Sequence, residues 1–271
     1  MKPLKNLILL LALTFSSLSA ADVLVLVHGY LGSADSWERS GINSILDANG
    51  WKRTGLFVPG PAGPQLLTTG NIKAENNVYD LSLPAIAPAP VQAQYLLNML
   101  NQVRAVHPDK DIIIAAHSAG GVVARLALVS GGAQNVKQLI TIASPHAGTP
   151  RADQALDITA NHGPFNMVKS FFGGSAYDAL KHSRPLLADL TYPRPGNLLN
   201  WLNRQPHPDI KYASVIRINP AGLPGDDIVP GFSQDMNNVP ALRGKSEVLL
   251  TPSPHQLNPG DATALLALLS Q

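Results

Sequence analysis

The sequence predicts an α/β domain with a mostly parallel central sheet of about six strands, helices on both faces and an inserted helical cap. Short runs rich in Val, Ile and Leu alternate along the chain with segments of helical periodicity. These runs contain few polar residues, which is typical of strands buried on both faces of a parallel sheet. The 271 residues and 45% hydrophobic content are sufficient for one such domain with a sizeable core.

The first half of the domain begins with the apolar run "ADVLVLVHGYLGS" at residues 21–33, which predicts the first strand. A helical pattern follows and ends at Asn49-Gly50. The second strand is predicted at residues 51–60, "WKRTGLFVPG". Residues 60–90 are rich in Pro and Gly, so we expect an irregular loop there, followed by a helix over residues 91–106.

Four further strands and two helices complete the expected domain. Residues 150–209 have a looser pattern with scattered Phe, Met and Leu, among them Phe171 and Phe172. A structureless loop of this length is unusual in a compact domain, so we expect an inserted helical cap. The later strands are predicted at 111–117, from 136 onward, at 210–218 and at 246–252, and the helices at 118–130 and 261–270.

Residues 1–21 have the pattern of a secretory signal peptide. Lys2 and Lys5 precede an apolar run over residues 7–15, and small residues follow at 16–21. The apolar run is shorter than the roughly 20 residues that a membrane-spanning helix needs. We therefore expect an exported protein, periplasmic or secreted, with a mature domain over residues 22–271 and no integral membrane segment.

Charge and cysteine content exclude several classes of function. The formal net charge is +2, and it becomes zero without Lys2 and Lys5, so the chain lacks the basic surface of a nucleic-acid-binding protein. The chain has no Cys, which excludes disulfides, thiol chemistry and Cys-based metal sites. We expect no cofactor and no metal.

The segment "IIIAAHSAGG" at residues 112–121 places a serine between a buried strand and a helix. A sharp strand-to-helix turn crowds the backbone, and the small residues Ala116 and Gly120 on either side of Ser118 relieve that crowding. The turn would raise the Ser118 hydroxyl above the carboxyl edge of the sheet, at the positive end of the helix. Ser118 is therefore the candidate nucleophile, although a serine that merely caps the helix would give the same five-residue pattern.

A serine nucleophile needs a histidine base and a carboxylate that orients it. Among eight histidines, only His255 lies between the last predicted strand and the final helix, where a base would reach over the sheet edge. The acid is expected after the fifth strand, where "GDDIVPG" offers Asp226 and Asp227. We favour Asp226, because the apolar pair that follows would anchor its loop.

An oxyanion hole requires two backbone N–H groups directed at the developing negative charge. One is expected from Ala119, directly after the nucleophile. The other is expected from Tyr30, which follows His28-Gly29 in the first strand-to-helix loop. His28 is expected to stabilise that loop by hydrogen bonding, and His146 to stabilise the turn after the fourth strand.

The motifs "VHGYLGS", "AHSAGG" and "GDDIVP", followed by His255, resemble those of α/β-hydrolases of the bacterial lipase and esterase kind, and "ASPHAGTP" at residues 143–150 is similar to a run in many such lipases. The resemblance implies the α/β-hydrolase fold, with Ser118 as nucleophile, His255 as base and Asp226 as orienting acid. Many larger secreted lipases carry a disulfide and a calcium ion. Here Cys is absent, no acidic cluster stands out, and Asp261 near His255 is the one candidate calcium ligand.

The resemblance implies an exported carboxylic-ester hydrolase, with an ester or lipid as its substrate. The apolar residues of the 150–209 segment favour apolar acyl chains and contact with a lipid interface, or they simply pack this segment onto the domain. An acyltransferase, thioesterase or amidase would use the same three residues. A non-catalytic binding protein on a hydrolase scaffold is the alternative from another class, and it would be expected to lack one of them.

Overall fold

The computed structural model describes residues 22–60, 63–160 and 174–270, and within them the chain forms an eight-stranded sheet in the order β3-β2-β4-β1-β5-β6-β7-β8. Every neighbouring pair is parallel except β2 and β3, which are antiparallel. The predicted signal peptide lies outside the described residues. The strands are β1 Asp22–Val27, β2 Trp51–Gly60, β3 Gly63–Thr68, β4 Asn76–Leu81, β5 Asp111–His117, β6 Val136–Ile142, β7 Lys211–Arg217 and β8 Ser246–Thr251.

Helices cover both faces of the sheet, as the sequence predicted. Alternate residues of β1 belong to two separate apolar cores: Val23, Val25 and Val27 to one, Leu24 and Leu26 to the other. All five side chains are completely buried, which explains the continuous apolar run. The helices are α1 Asp35–Arg39, α2 Ile42–Ala48, α3 Ala89–Val106, α4 Ala119–Ala127, α5 Pro150–Ala160, α6 Gly174–His182, α7 Arg184–Asp189, α8 Leu198–Leu202, α9 Gly231–Gln234 and α10 Pro259–Leu269.

The prediction of about six strands was too low, because residues 60–90 contain β3 and β4 and not an irregular loop. β4 lies between β1 and β2 and is almost entirely buried. Its sequence, "NNVYDL", lacks a continuous apolar run because Asn77 and Asp80 satisfy their polar groups inside the protein. Asn77 donates to the Thr54 hydroxyl, and Asp80 accepts from Asn43 and Arg53. The formation of β4 at this position therefore depends on partners that are distant in the sequence.

The 150–209 segment contributes α5, α6, α7 and α8 among its described residues. Helices α5 and α7 pack on one another, and Leu186 and Leu190 of this segment belong to the larger apolar core. The predicted aromatic residues Phe171 and Phe172 lie outside the described residues. Within residues 22–60, 63–160 and 174–270, no helix has the length and hydropathy that a bilayer crossing requires.

Candidate active site

The turn between β5 and α4 presents Ser118 at the carboxyl edge of the sheet. Ser118 has φ of 52° and ψ of −128°, a backbone conformation that a non-glycine residue rarely adopts. Its N–H donates to the carbonyl of Ile142 in β6 at 2.9 Å, which helps hold the turn against the sheet. Strain of this kind persists only where the surrounding structure holds it, and such positions concentrate at functional sites.

Glycines around Ser118 permit a close approach that no larger residue allows. A Cβ on Gly120 would collide with the His28 carbonyl oxygen, and one on Gly121 would collide with the Ser144 hydroxyl. A Cβ on Gly29 would lie 2.8 Å from the Ser118 Cβ. The first strand-to-helix loop and the serine turn are therefore in direct backbone contact. The sequence predicted that Gly120 relieves crowding within the turn and that Gly121 lets the helix lie close to the sheet, but not this contact with the first loop.

The structure brings Ser118, His255 and Asp226 together in one chain of hydrogen bonds. His255 Nε2 lies 2.9 Å from Ser118 Oγ, and His255 Nδ1 lies 3.0 Å from Asp226 Oδ2. Because an ionised carboxylate only accepts, Nδ1 carries the proton and Nε2 is free to accept from the serine. The loops after β5, β7 and β8 supply the three residues, and Asp226 and Ser118 are 29 and 137 positions from His255 along the chain.

The Asp226 carboxylate is held by four donors. Oδ1 accepts from the N–H groups of Ile228 and Val229 at 2.8 and 2.7 Å, and Oδ2 accepts from His255 and from Gln234 Nε2. Burial raises the pKa of Asp226, but the hydrogen bond and charge of His255 and the two backbone donors outweigh it, so the pKa is lowered overall. Asp226 is therefore ionised at neutral pH. Asp227 is exposed and does not contact His255 in this arrangement.

Gln234 is a contact of the acid that the sequence did not reveal. Its side chain is buried, and its Nε2 donates to Asp226 Oδ2 at 2.9 Å and to the Val229 carbonyl at 2.8 Å. Its Oε1 accepts the N–H of Arg217 at 2.8 Å. No local pattern marks a glutamine for this role, since its partners come from β7 and from the acid loop.

His117, directly before the serine, is a second contact that the sequence did not reveal. Its Nε2 lies 2.8 Å from the main-chain oxygen of His255, and because a carbonyl only accepts, Nε2 donates this bond. Burial lowers the pKa of His117 to about 3, with the nearby His255 as a further cause, so its imidazole is neutral at physiological pH. A neutral side chain therefore fixes the backbone of the residue that carries the base. Its position within the motif is visible in the sequence, but its target is not.

The two nominated oxyanion donors, Tyr30 and Ala119, line the same cavity as Ser118. Ala119 is the first residue of α4, where an N–H has no acceptor within the helix. His28 stabilises the Tyr30 loop as expected, because Nδ1 donates to the Gly29 carbonyl at 2.8 Å and Nε2 accepts from the Leu83 N–H at 2.9 Å. Burial lowers the pKa of His28, which is consistent with this neutral form.

Two cavities of different character meet at Ser118 and His255. One, of about 460 Å³, is mainly apolar; the other, of about 380 Å³, is more polar and reaches Ser36 and Arg39. A larger cavity of about 740 Å³ borders Asp226 but does not include Ser118, so the first two are the ones available to a reacting group. The apolar lining comprises Ala152, Ala155, Ile158, Leu180, Leu187, Leu190, Ile228 and Val229.

A second buried polar cluster lies behind α4 and involves His146. Arg125 is completely buried, and its Nη2 donates to Asn203 Oδ1 at 2.9 Å and to His207 Nε2 at 3.1 Å. His146 Nε2 lies 3.0 Å from Thr141 Oγ1, and its Nδ1 faces Arg125. Burial and the Arg125 charge lower the pKa of His146 well below 6.5. The His146 ring therefore bonds within this buried cluster, and His146 does not line either cavity at Ser118.

The candidate calcium ligand Asp261 is already engaged, since both of its carboxylate oxygens accept from Arg217. Within the described part of the chain, no group of three or more His, Asp or Glu side chains has the arrangement of a metal site. An ion pair with arginine leaves Asp261 no free charge for a cation. The geometry around Ser118 instead presents a hydroxyl, an imidazole and a carboxylate in one series of hydrogen bonds.

Comparison with known proteins identifies the class of fold. A Listeria innocua protein of known structure (13% identity) superposes with a TM-score of 0.65, covering 92% of this chain and 94% of that one. The mature Bacillus licheniformis lipase BlEst2 (17% identity) superposes with a TM-score of 0.60 and covers 92% of both chains. The RedJ thioesterase of Streptomyces coelicolor (16% identity) superposes with a TM-score of 0.51, covering 93% of this chain and 91% of that one. The chain has the α/β-hydrolase fold that its lipase-like motifs predicted.

Residues 90–170 match the family model described as a PGAP1-like alpha/beta domain. This range contains β5, Ser118 and α4, and therefore the strand–serine–helix unit in which the sequence predicted the nucleophile. No curated protein sequence matches the chain significantly. At the level of fold, the likeness to the lipase and to the thioesterase extends over nearly the whole chain.

Proposed function

We propose that this protein is an exported serine hydrolase that cleaves carboxylic esters with apolar acyl chains. The observation that carries the proposal is the uninterrupted hydrogen-bond chain from Ser118 through His255 to Asp226, with distances of 2.9 and 3.0 Å. Both distances lie within the reach needed for proton transfer. The three side chains are at most partly accessible, and the hydroxyl opens into an apolar cavity.

In the first half-reaction, Ser118 Oγ attacks the acyl carbon while its proton passes to His255 Nε2. The electron pair of the carbonyl moves to its oxygen, and the N–H groups of Tyr30 and Ala119 stabilise the resulting oxyanion. Asp226 orients the imidazole and stabilises its positive charge. As the tetrahedral intermediate collapses, His255 gives the proton to the leaving alcohol oxygen, and the acyl group remains on Ser118.

In the second half-reaction, a water molecule replaces the alcohol. His255 accepts one proton of the water as its oxygen attacks the acyl-enzyme carbon, and it returns that proton to Ser118 Oγ when the ester bond breaks. The products are the alcohol and a carboxylic acid. The apolar cavity beside Ser118 supports an apolar acyl group, whose transfer from water is favourable by about 0.8 kcal/mol per buried methylene.

Labelling with a fluorophosphonate tests the nucleophile. Wild-type protein should form a covalent adduct on Ser118, and the variant Ser118→Ala should not. The matched control is Ser144→Ala, which changes the buried serine next to the turn. Folded wild-type protein that resists the probe would contradict the proposal.

A substrate series then separates the related activities. Initial rates should be measured on p-nitrophenyl esters from acetate to decanoate, below and above their solubility limits, and on the matching acyl thioesters. We expect higher kcat/KM with the longer acyl chains. Activity restricted to acetate and butyrate would identify a small-ester esterase, and a preference for thioesters would favour the thioesterase alternative. Acyl transfer to an added alcohol in place of water would identify a transferase.

Export rests on residues 1–21 and is tested separately. The full chain expressed in a bacterial host should be recovered outside the cytoplasm, with a new N-terminus between residues 19 and 22. Deletion of residues 2–18 should retain it in the cytoplasm. An uncleaved chain that stays in the cytoplasm would remove the export part of the proposal and leave the chemistry unaffected.

A further inference from the structure

One hydrogen bond joins the loop of the nominated oxyanion donor to the 150–209 segment. The Tyr30 hydroxyl lies 2.7 Å from the hydroxyl of Ser183, 153 positions later in the chain. Ser183 is completely buried, and its Oγ–H donates to the Ala179 carbonyl. A serine hydroxyl has a single proton, so Tyr30 is the donor to Ser183.

Ser183 makes this bond instead of the one its position in the helix favours. It is the residue before α7, where a serine side chain normally accepts from an N–H of the first helical turn. Here the side chain makes no such capping bond. Its oxygen faces Tyr30, so the conformation of Ser183 serves the contact between segments and not the helix end.

The loop that carries Tyr30 needs an external restraint. Residues 29–32 form a tight turn, closed by the Gly32 N–H on the Gly29 carbonyl at 3.0 Å. Leu31 in this turn has φ of 56°, which is strained for a residue with a branched side chain, and it is 58% exposed. Neighbouring contacts must therefore hold the turn, and Tyr30 is its partly buried side chain.

We propose that Ser183 is a positioning residue. Its hydrogen bond to the Tyr30 hydroxyl keeps the Tyr30 N–H directed at the oxyanion. The inference rests on the proposed function, because it assigns the Tyr30 N–H to the oxyanion hole. It adds that Ser183, a residue of the 150–209 segment, contributes to transition-state stabilisation through its contact with Tyr30. The Tyr30 N–H itself is still present when the side chain changes, so any loss of rate reports on the orientation of this N–H group.

Two variants test the contact from either side. Tyr30→Phe and Ser183→Ala should each lower kcat about tenfold or more with KM nearly unchanged, since misplacement by about 1 Å is sufficient for losses up to a hundredfold. The double variant should be no worse than the less active single variant, because both remove the same bond. The matched control is Tyr212→Phe, which removes a tyrosine hydroxyl bond to the Pro208 carbonyl outside the site and should keep the wild-type kcat.

An alkyl trifluoromethyl ketone supplies a readout that a purely structural role would not change. Addition of Ser118 to this probe creates an oxyanion, so its inhibition constant should rise by the factor by which kcat/KM falls. Losses that add in the double variant, or unchanged kcat in folded Tyr30→Phe protein, would overturn the inference alone. Tyr30→Phe provides that test even if Ser183→Ala does not fold. Wild-type protein without fluorophosphonate labelling would instead remove the proposed function, and this inference with it.

Discussion

Arg217 and Asp261 form a completely buried ion pair with two parallel hydrogen bonds, Nη1–Oδ1 at 2.5 Å and Nη2–Oδ2 at 2.9 Å. Arg217 ends β7, directly before the segment that carries Asp226. Asp261 lies in the first turn of α10, directly after the segment that carries His255. Arg217 Nη2 also donates to the Gln256 carbonyl at 3.3 Å. One ion pair therefore joins the two loops that carry His255 and Asp226.

Asp261→Asn should destabilise the protein by about 3–5 kcal/mol, because it leaves a buried guanidinium without its counter-charge. The substitution keeps the size of the side chain and one oxygen acceptor. The free energy of unfolding in urea, measured at neutral pH, checks this expectation. Asp35→Asn is the control, since Asp35 and Arg39 form a pair of similar length, 3.0 Å, that is mostly exposed. The control should remain within about 1 kcal/mol of wild type, and equal losses in both variants would contradict the expectation.

Asp226→Ala should lower kcat by about 10³–10⁴, because the imidazole loses the partner that orients it and stabilises its charge. Asp227→Ala is the neighbouring control and should stay close to wild type, since the Asp227 side chain is exposed. Rates on one p-nitrophenyl ester under identical conditions provide the comparison. A greater loss at residue 227 than at 226 would assign the acid to the other residue.

Ala155→Phe should shorten the apolar cavity, because Ala155 lies in its wall and is nearly buried. Each methylene of the acyl chain that no longer fits in the cavity loses about 0.8 kcal/mol of transfer free energy. The loss of two or more methylenes corresponds to at least a tenfold change in the preference for long over short acyl chains. We expect the ratio of kcat/KM for decanoate over acetate to fall by that factor while acetate hydrolysis persists. Ala267→Phe, on the exposed face of α10, is the control. An unchanged ratio in folded Ala155→Phe protein would place the acyl chain elsewhere.

His207→Gln should reduce the dependence of the unfolding free energy on pH in mild acid. Burial lowers the pKa of His207 from 6.5 to about 4, and the Arg125 charge adds to this effect. The unfolded chain therefore binds more protons than the folded chain between these values. The stabilisation is complete above about pH 6.5 and is lost as the pH falls toward 4. The slope of unfolding free energy against pH in this window should decrease in the variant, by an amount that corresponds to the uptake of at most one proton on unfolding.

The groups that face His207 are Arg125, Tyr212 and Lys245, and the Gln205 carbonyl accepts from Nδ1. Glutamine can keep the acceptor for Arg125 without titrating, which is why it is chosen. His182→Gln is the control, because His182 is exposed. A slope that stays at the wild-type value in His207→Gln protein, or that changes equally in the control, would assign the acid sensitivity to other groups.

The sequence by itself determined the elements whose signal is local. The apolar runs of β1, β5, β6 and β7 and the small residues around Ser118 mark buried strands and a tight turn, because burial on both faces demands continuous apolar residues. The choice of Ser118, Asp226 and His255, in that order along the chain, rested on these patterns together with the resemblance to α/β-hydrolases. The α/β class and the candidate residues can therefore be inferred from the amino-acid sequence.

Only the tertiary structure decided which distant groups satisfy one another. β4 is a central strand because it pairs with β1 and β2 and its polar side chains bond to groups of β2 and α2, and no window of sequence contains those partners. For the same reason, the sequence did not reveal three hydrogen bonds: Gln234 to Asp226, His117 to the His255 backbone, and Tyr30 to Ser183. A buried polar group is stable only when it is hydrogen-bonded, and the fold alone selects the group that supplies the bond.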